Sequence, residues 1–159
     1  MTTKIEKSVT VDVPITTAYN QWTQFEEFPQ FMEGVESVKQ IDDTHLQWVA
    51  EVGGKPREWQ AEIVDQVPDQ KVAWRAVDGN GPNGIVEFEP LGEDKTLVTV
   101  EMAYEPEGFT EQLGAKVGID SRQVKRDLER FKELVESRGV ESGAWRGEVD
   151  AGETRSFRT

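Results

Sequence analysis

From Ile5 to Val13 apolar and polar residues alternate, with Ile5, Val9, Val11 and Val13 on one side and Glu6, Ser8, Thr10 and Asp12 on the other. A period of two predicts a half-buried strand, interrupted only by Lys7. Pro14 then suits the first turn of a helix, where its missing N–H is not needed. Ile15, Ala18, Tyr19 and Trp22 return on one helical face, so the pattern predicts a short helix over about residues 14–24. Pro29 disfavours helical geometry at Phe28 and is expected to divide this helix from a second short element. Within WTQFEEFPQFM, residues 22–32, the aromatics Trp22, Phe25, Phe28 and Phe31 recur at every third position. Helical spacing assigns Trp22 and Phe25 to the core. The expected division at Pro29 places Phe28, Phe31 and Met32 on a separate element, closing one end of whatever lies beneath.

Between Val35 and Tyr104 the period stays near two. Strands are expected over 35–41, 45–52, 57–67, 71–77, 84–90 and 95–104, separated by Asp42-Asp43, Gly53-Gly54, Pro68-Asp69, the run Asp78 to Pro82, and Gly92-Glu93-Asp94. Connections this short join antiparallel neighbours. The period then changes. Val117, Val124, Leu128, Phe131 and Val135 fall at helical spacing, Asp120 with Gln123 resembles a capping box, and Gly139 supplies a stop. Residues 140–159 show no sustained period, so a domain over 1–138 followed by a mobile tail over 139–159 is expected. The order predicts an α+β fold: a curved antiparallel sheet of about seven strands, two short helices, and one long helix lying across the sheet.

Side chains alternate across a strand, so face membership follows from each strand's largest residue. Leu46, Ala50 and Val52 go with Trp48; Ala61 and Ile63 with Trp59; Val72 and Ala76 with Trp74; Val86 with Phe88; and Val98, Val100 and Tyr104 with Met102. The other parity holds Gln47, Glu51, Glu58, Gln60, Glu62, Arg75, Glu87, Glu89 and Glu101. One face is thus apolar and rich in tryptophan, and the other is solvated. Arg57 is the charged residue that shares parity with a tryptophan; it reads as a rim residue reaching solvent or as a donor to a ligand oxygen. Tyr104 supplies an inner hydroxyl that either orients a ligand carbonyl or satisfies a backbone group.

Composition narrows the chemistry. The chain of 159 residues carries a formal net charge of -13. Phosphate backbones and anionic lipid surfaces repel such a balance, so neither nucleic acid nor stable membrane insertion is expected. Cysteine is absent, which removes disulfides and thiolate catalysis. No apolar leader precedes the first strand, so a cytoplasmic location is expected. The single histidine, His45, sits at a strand start beside Asp42 and Asp43 and off the Trp48 parity, which favours an exposed turn residue over a catalytic base. No metal or other cofactor is expected from this set. The glycine-rich stretch from Asp78 to Gly84 joins two strands rather than a strand and a helix, so it reads as a hairpin connection and not as a phosphate cradle.

Three stretches carry a family resemblance: VDVPITTAYNQWTQFEEFPQFMEGVESV at 11–38, REWQAEIVDQVPDQKVAWRA at 57–76, and RQVKRDLERFKELVE at 122–136. The chain resembles the polyketide cyclase/dehydrase and lipid-transport proteins of the START-like (SRPBCC) superfamily over about residues 3–137. The resemblance implies the helix-grip fold, with a cavity between sheet and long helix that takes hydrophobic molecules. Ligand contact is then expected from Phe28, Phe31, Met32, Trp48, Trp59, Trp74, Phe88, Met102, Tyr104, Val117 and Val124, with Arg57 at the rim. Three functions fit. The first is non-catalytic binding or carriage of a lipid, quinone or polyketide-like molecule. The second is an aromatase/cyclase, which requires polar groups on the inner face. The third is an acidic module that meets a protein partner through its surface or tail, with the cavity packed shut.

Overall fold

A computed structural model describes residues 3–32, 34–52, 55–77, 83–104, 121–140, 142–144, 147–150 and 153–155. The expected alternation becomes strand β1, Thr3–Val11; Val13 lies past its end yet is buried. Helix α1, Ile15–Trp22, follows Pro14, whose extended backbone caps it and whose carbonyl accepts from the Ala18 N–H at 3.1 Å. Strands β2 (Val35–Gln40), β3 (His45–Val52), β4 (Lys55–Val67), β5 (Lys71–Ala76), β6 (Asn83–Gly92) and β7 (Lys95–Tyr104) form the meander, and α2 runs from Ser121 to Arg138. The sheet order is β1-β7-β6-β5-β4-β3-β2, each neighbour antiparallel, so the first strand closes onto the last of the meander. Leu128, Phe131 and Val135 of α2 are buried and Val124 packs beside them, which is the stripe its spacing demanded.

One expected boundary moves. Pro29 does not divide the aromatic stretch; it lies inside a 3₁₀ helix, Phe25–Gln30. The division falls at Thr23 and Gln24. There the Thr23 hydroxyl donates to the Asn20 carbonyl at 2.6 Å, a local bond that competes with helix continuation. Pro29 has no N–H to carry an α-helical ladder further, and the run stays short.

Two strands were not expected. In the segment read as a mobile tail, β8 (Glu148–Asp150) pairs with β4 through Asp65↔Asp150 and Gln66↔Val149, and β9 (Glu153–Arg155) pairs with β8. Strand β3 begins at His45, opposite Glu62, so β4 runs on past it and leaves that edge free. Strand β8 occupies the vacant edge and buries Val149 completely. Three residues between charged and small neighbours carry no readable period, which is why pattern alone missed them.

A hydrogen bond from the residue after β1 ties α2 to the sheet. The Asp12 N–H donates to Glu136 Oε2 at 2.7 Å, and Lys132 bonds the same carboxylate. Near the start of α2, Gly34 adopts a positive φ of 91°, and a Cβ there would meet Gln123 Nε2 at 3.1 Å. Glycine both permits that backbone and leaves room for the helix.

Candidate functional site

The sheet's inner face carries the expected apolar set. Leu46, Trp48, Ala50, Trp59, Ala61, Ile63, Val72, Ala76, Val86, Phe88, Val98 and Val100 are buried. Their partners across the strands follow from register. Trp48 lies opposite Trp59, and the two indoles stack with centroids 5.8 Å apart and planes within 6°. Trp74 lies opposite Gly84, which lies opposite Met102. A Cβ on Gly84 would sit 2.4 Å from the Trp74 ring, so the indole rests directly on bare backbone. Trp74 and Met102 stay half-buried, as do Met32 and Val124.

The helical layer meets this face with aromatics. Trp22 is the hub, with centroid distances of 5.0 Å to Phe131, 5.4 Å to Phe28, 5.9 Å to Phe31 and 6.4 Å to Phe88. Phe28 bridges to the tryptophan pair, 5.6 Å from Trp48, and Phe31 lies 5.2 Å from Phe131 of the long helix. Tilted and edge-on geometries of this kind suit the ring quadrupole. The structure therefore brings Phe28, Phe31, Trp48, Trp59 and Phe88 into one cluster, with Met32 beside it and Trp74, Met102 and Val124 around the core's edge. The backbone of Tyr104 ends β7 opposite Thr3, but its side chain, like all of Val117, lies outside the described residues.

Polar groups on the inside are more numerous than parity suggested. A bulge between Ile63 and Asp65 shifts the register of β4, so the inward positions change from odd to even. Gln66 consequently turns inward, wholly buried, and its Nε2 donates to the Tyr19 hydroxyl at 3.0 Å. Tyr19 packs edge-on to Phe88 at 5.4 Å. The break in alternation at Val64-Asp65-Gln66-Val67 was the one sequence signal for this bulge. Arg57, the expected rim residue, is half-buried opposite Ala50 on the face that carries Trp59. The buried side-chain atoms Gln21 Nε2, Trp22 Nε1, Trp48 Nε1 and Gln66 Oε1 have no hydrogen-bond partner among the described residues.

Charged groups gather at the periphery. Arg138, at the end of α2, donates to Glu27 at 3.0 Å and to Gln30 at 2.9 Å on the 3₁₀ helix. The Ser142 N–H donates to Gln21 Oε1 at 2.9 Å, and its hydroxyl donates to Glu27. Burial raises the Glu27 pKa, but the hydrogen bonds from Ser142 and Arg138 and the guanidinium charge outweigh it and hold the carboxyl below its usual range. This clasp ties the long helix to the element bearing Phe28. His45 is not the exposed turn residue expected: it is the half-buried first residue of β3, and its Nδ1 lies 3.0 Å from Asp42 and 3.0 Å from the Thr44 hydroxyl of the preceding turn. Among the described residues no group of three or more His, Asp and Glu stands close enough to hold a metal ion. No described helix is long and apolar enough to cross a membrane.

With this geometry established, likeness to other proteins becomes informative. The chain is 51% identical over 147 residues to an uncharacterized 17.2 kDa protein of Streptomyces lincolnensis, covering 92% of this chain and 98% of that one. A crystal structure from Deinococcus radiodurans matches at a TM-score of 0.68 and 27% identity, covering 87% of this chain and 99% of that one. An aromatase/cyclase from a Streptomyces species matches at a TM-score of 0.70 and 15% identity, covering 91% of this chain and all of the other, 100%. At that identity the likeness shows the fold alone, a curled antiparallel half-barrel of the START-like, helix-grip kind. The family model described as polyketide cyclase/dehydrase and lipid transport matches residues 11–133, from the end of β1 into α2. Sheet, long helix and sequence agree: the chain belongs to the polyketide cyclase/dehydrase and lipid transport family.

Proposed function

We propose that this protein binds and carries a small hydrophobic molecule between the sheet and the long helix, without catalysing a reaction on it. The observation that carries the reading is the continuous aromatic wall from Trp59 and Trp48 through Phe28 to Trp22, Phe31 and Phe131. Flat, rigid side chains of this kind present large apolar area and lose little conformational entropy when a ligand packs on them. The half-buried Met32, Trp74, Met102 and Val124 would complete the contact around its edge, with Arg57 at the rim.

The aromatase/cyclase alternative needs a group that gains or loses a proton near neutral pH. The described inner face offers Arg57, Gln66 and Tyr19. A guanidinium donates hydrogen bonds, an amide donates and accepts them, and a phenol hydroxyl does both, but none is a carboxylate or imidazole. This set suits orientation of a bound molecule better than proton transfer.

The test is extraction of the purified protein with organic solvent and mass spectrometry of what is released, alongside titration of tryptophan fluorescence with quinones and lipids. A co-purifying hydrophobic compound or saturable quenching is expected. A ligand present at about a hundred times its Kd should also stabilise the fold by about 2.7 kcal/mol. Failure of every candidate to quench, with nothing released, would remove the carrier reading. Turnover of a poly-β-ketone by the purified protein would replace it with the cyclase.

A further inference from the structure

We infer that the Trp48 indole N–H selects the ligand, donating a hydrogen bond to an oxygen acceptor on a flat conjugated molecule; the inference rests on the carrier reading and narrows it. Trp48 is only 8% exposed, and its Nε1 has no partner among the described residues. Indole carries one donor and no acceptor, and a buried donor left unpaired costs free energy that a native fold normally avoids.

The surroundings limit what can satisfy it. Trp48 faces Val38 on one neighbouring strand and Trp59 on the other, with Leu46 and Ala50 beside it on its own strand and Phe28 above. None of these side chains accepts a conventional hydrogen bond apart from the backbone, which the sheet ladders use. A trapped water needs two to four polar partners, and this wall does not offer them. An acceptor that arrives attached to an apolar body meets both demands. Trp22 Nε1 is also unpartnered, but its ring is packed against Phe28, Phe31, Phe88 and Phe131 and is 2% exposed, which leaves Trp48 the better placed donor.

The stacked pair supplies the shape. The two indoles are stacked within 6° of parallel, so the pair presents flat ring faces rather than a rough hydrocarbon wall. A planar ring system suits stacking on such a face, whereas a saturated chain does not. The favoured ligand is therefore planar and bears a carbonyl or quinone oxygen; a bare hydrocarbon of the same outline leaves the N–H unpaired.

The experiment compares 1,4-naphthoquinone with naphthalene by calorimetry on the full chain and on the variants Trp48→Phe and Trp59→Phe. The wild type is expected to bind the quinone more tightly than the hydrocarbon. Trp48→Phe should weaken the quinone about tenfold and the hydrocarbon by less than about threefold, because only one of them uses the N–H. Trp59→Phe removes similar bulk from the stack but leaves the N–H, so it should weaken both probes alike. In the wild type, the Trp48 indole resonance, assigned by its loss in Trp48→Phe, should move downfield in a nitrogen–proton correlation spectrum as the quinone binds. Equal weakening of both probes by Trp48→Phe, or an unmoved indole resonance, overturns this inference and leaves carriage standing. If neither probe binds the wild type while a saturated lipid does, the selection is wrong but carriage survives. If nothing binds, both fall.

Discussion

Gly84 and Trp74 show how much a single atom decides. The indole occupies the volume that a Cβ at residue 84 would need, within 2.4 Å. Gly84→Ala should displace Trp74 and destabilise the fold by about 1–3 kcal/mol, the usual cost of overpacking. Urea denaturation and the tryptophan emission maximum would both register it; an unchanged midpoint and spectrum would contradict the packing. Three carboxylates carry a second residue-scale consequence. Hydrogen bonds from the Thr44 backbone and the His45 ring lower the Asp42 pKa, while Glu27 and Glu136 are lowered against the opposing effect of burial. Each binds its proton less readily folded than unfolded, so its stabilisation is complete above the ordinary carboxylate range and is lost as pH falls through the depressed folded value. The ordinary Glu value is 4.5, so Glu27→Gln should be less stable than wild type at neutral pH and converge with it in acid below that value. Parallel curves of melting temperature against pH would refute the assignment. Gln66 marks the limit of reading at this scale: its identity was plain, but its inward direction depended on a bulge.

At the scale of elements, alternation and helical period carried most of the fold because each element buries one continuous face. The period of α2 and the parity of β3 to β7 were legible for that reason. Short or locally terminated elements were not. The 3₁₀ helix is set off by side-chain bonding at Thr23, not by Pro29, and β8 exists because β4 outruns β3. If β8 anchors the fold, removing residues 141–159 should lower the melting temperature by several degrees, about 2–4 °C for each kcal/mol lost. Val149→Ala alone should cost about 2 kcal/mol, since a fully buried side chain loses two methyl groups. A truncated chain with unchanged melting would mean that the segment contributes nothing to stability and is the mobile tail its sequence suggested.

For the molecule as a whole, charge and interior act separately. The outer face pairs some of its charges, Lys71 with Asp65 at 2.8 Å and Arg75 with Glu62 at 2.9 Å, but exposed pairs contribute little. A net charge of -13 remains. Self-repulsion at that level disfavours the compact state, so thermal stability should rise as sodium chloride is increased from about 10 mM to about 200 mM, where the screening length shortens toward 8 Å or less. A salt-independent melting temperature would show that the acids are spread too widely to repel. The same surface tells nothing about the interior, where aromatic contacts join the sheet, the 3₁₀ helix and α2.

The sequence by itself determined the main architecture and the apolar face, because periodicity records which side of each element avoids water and that record survives without coordinates. The family followed from the likeness of particular stretches, which the family model bears out. Only the tertiary structure decided which aromatics meet, that Phe28 joins Trp22 to Trp48, that Gln66 turns inward, and that two indole N–H groups are left without partners among the described residues. Those outcomes depend on register, a one-residue bulge and the crossing of separate elements, and a one-residue shift reverses the face a strand presents without changing its composition.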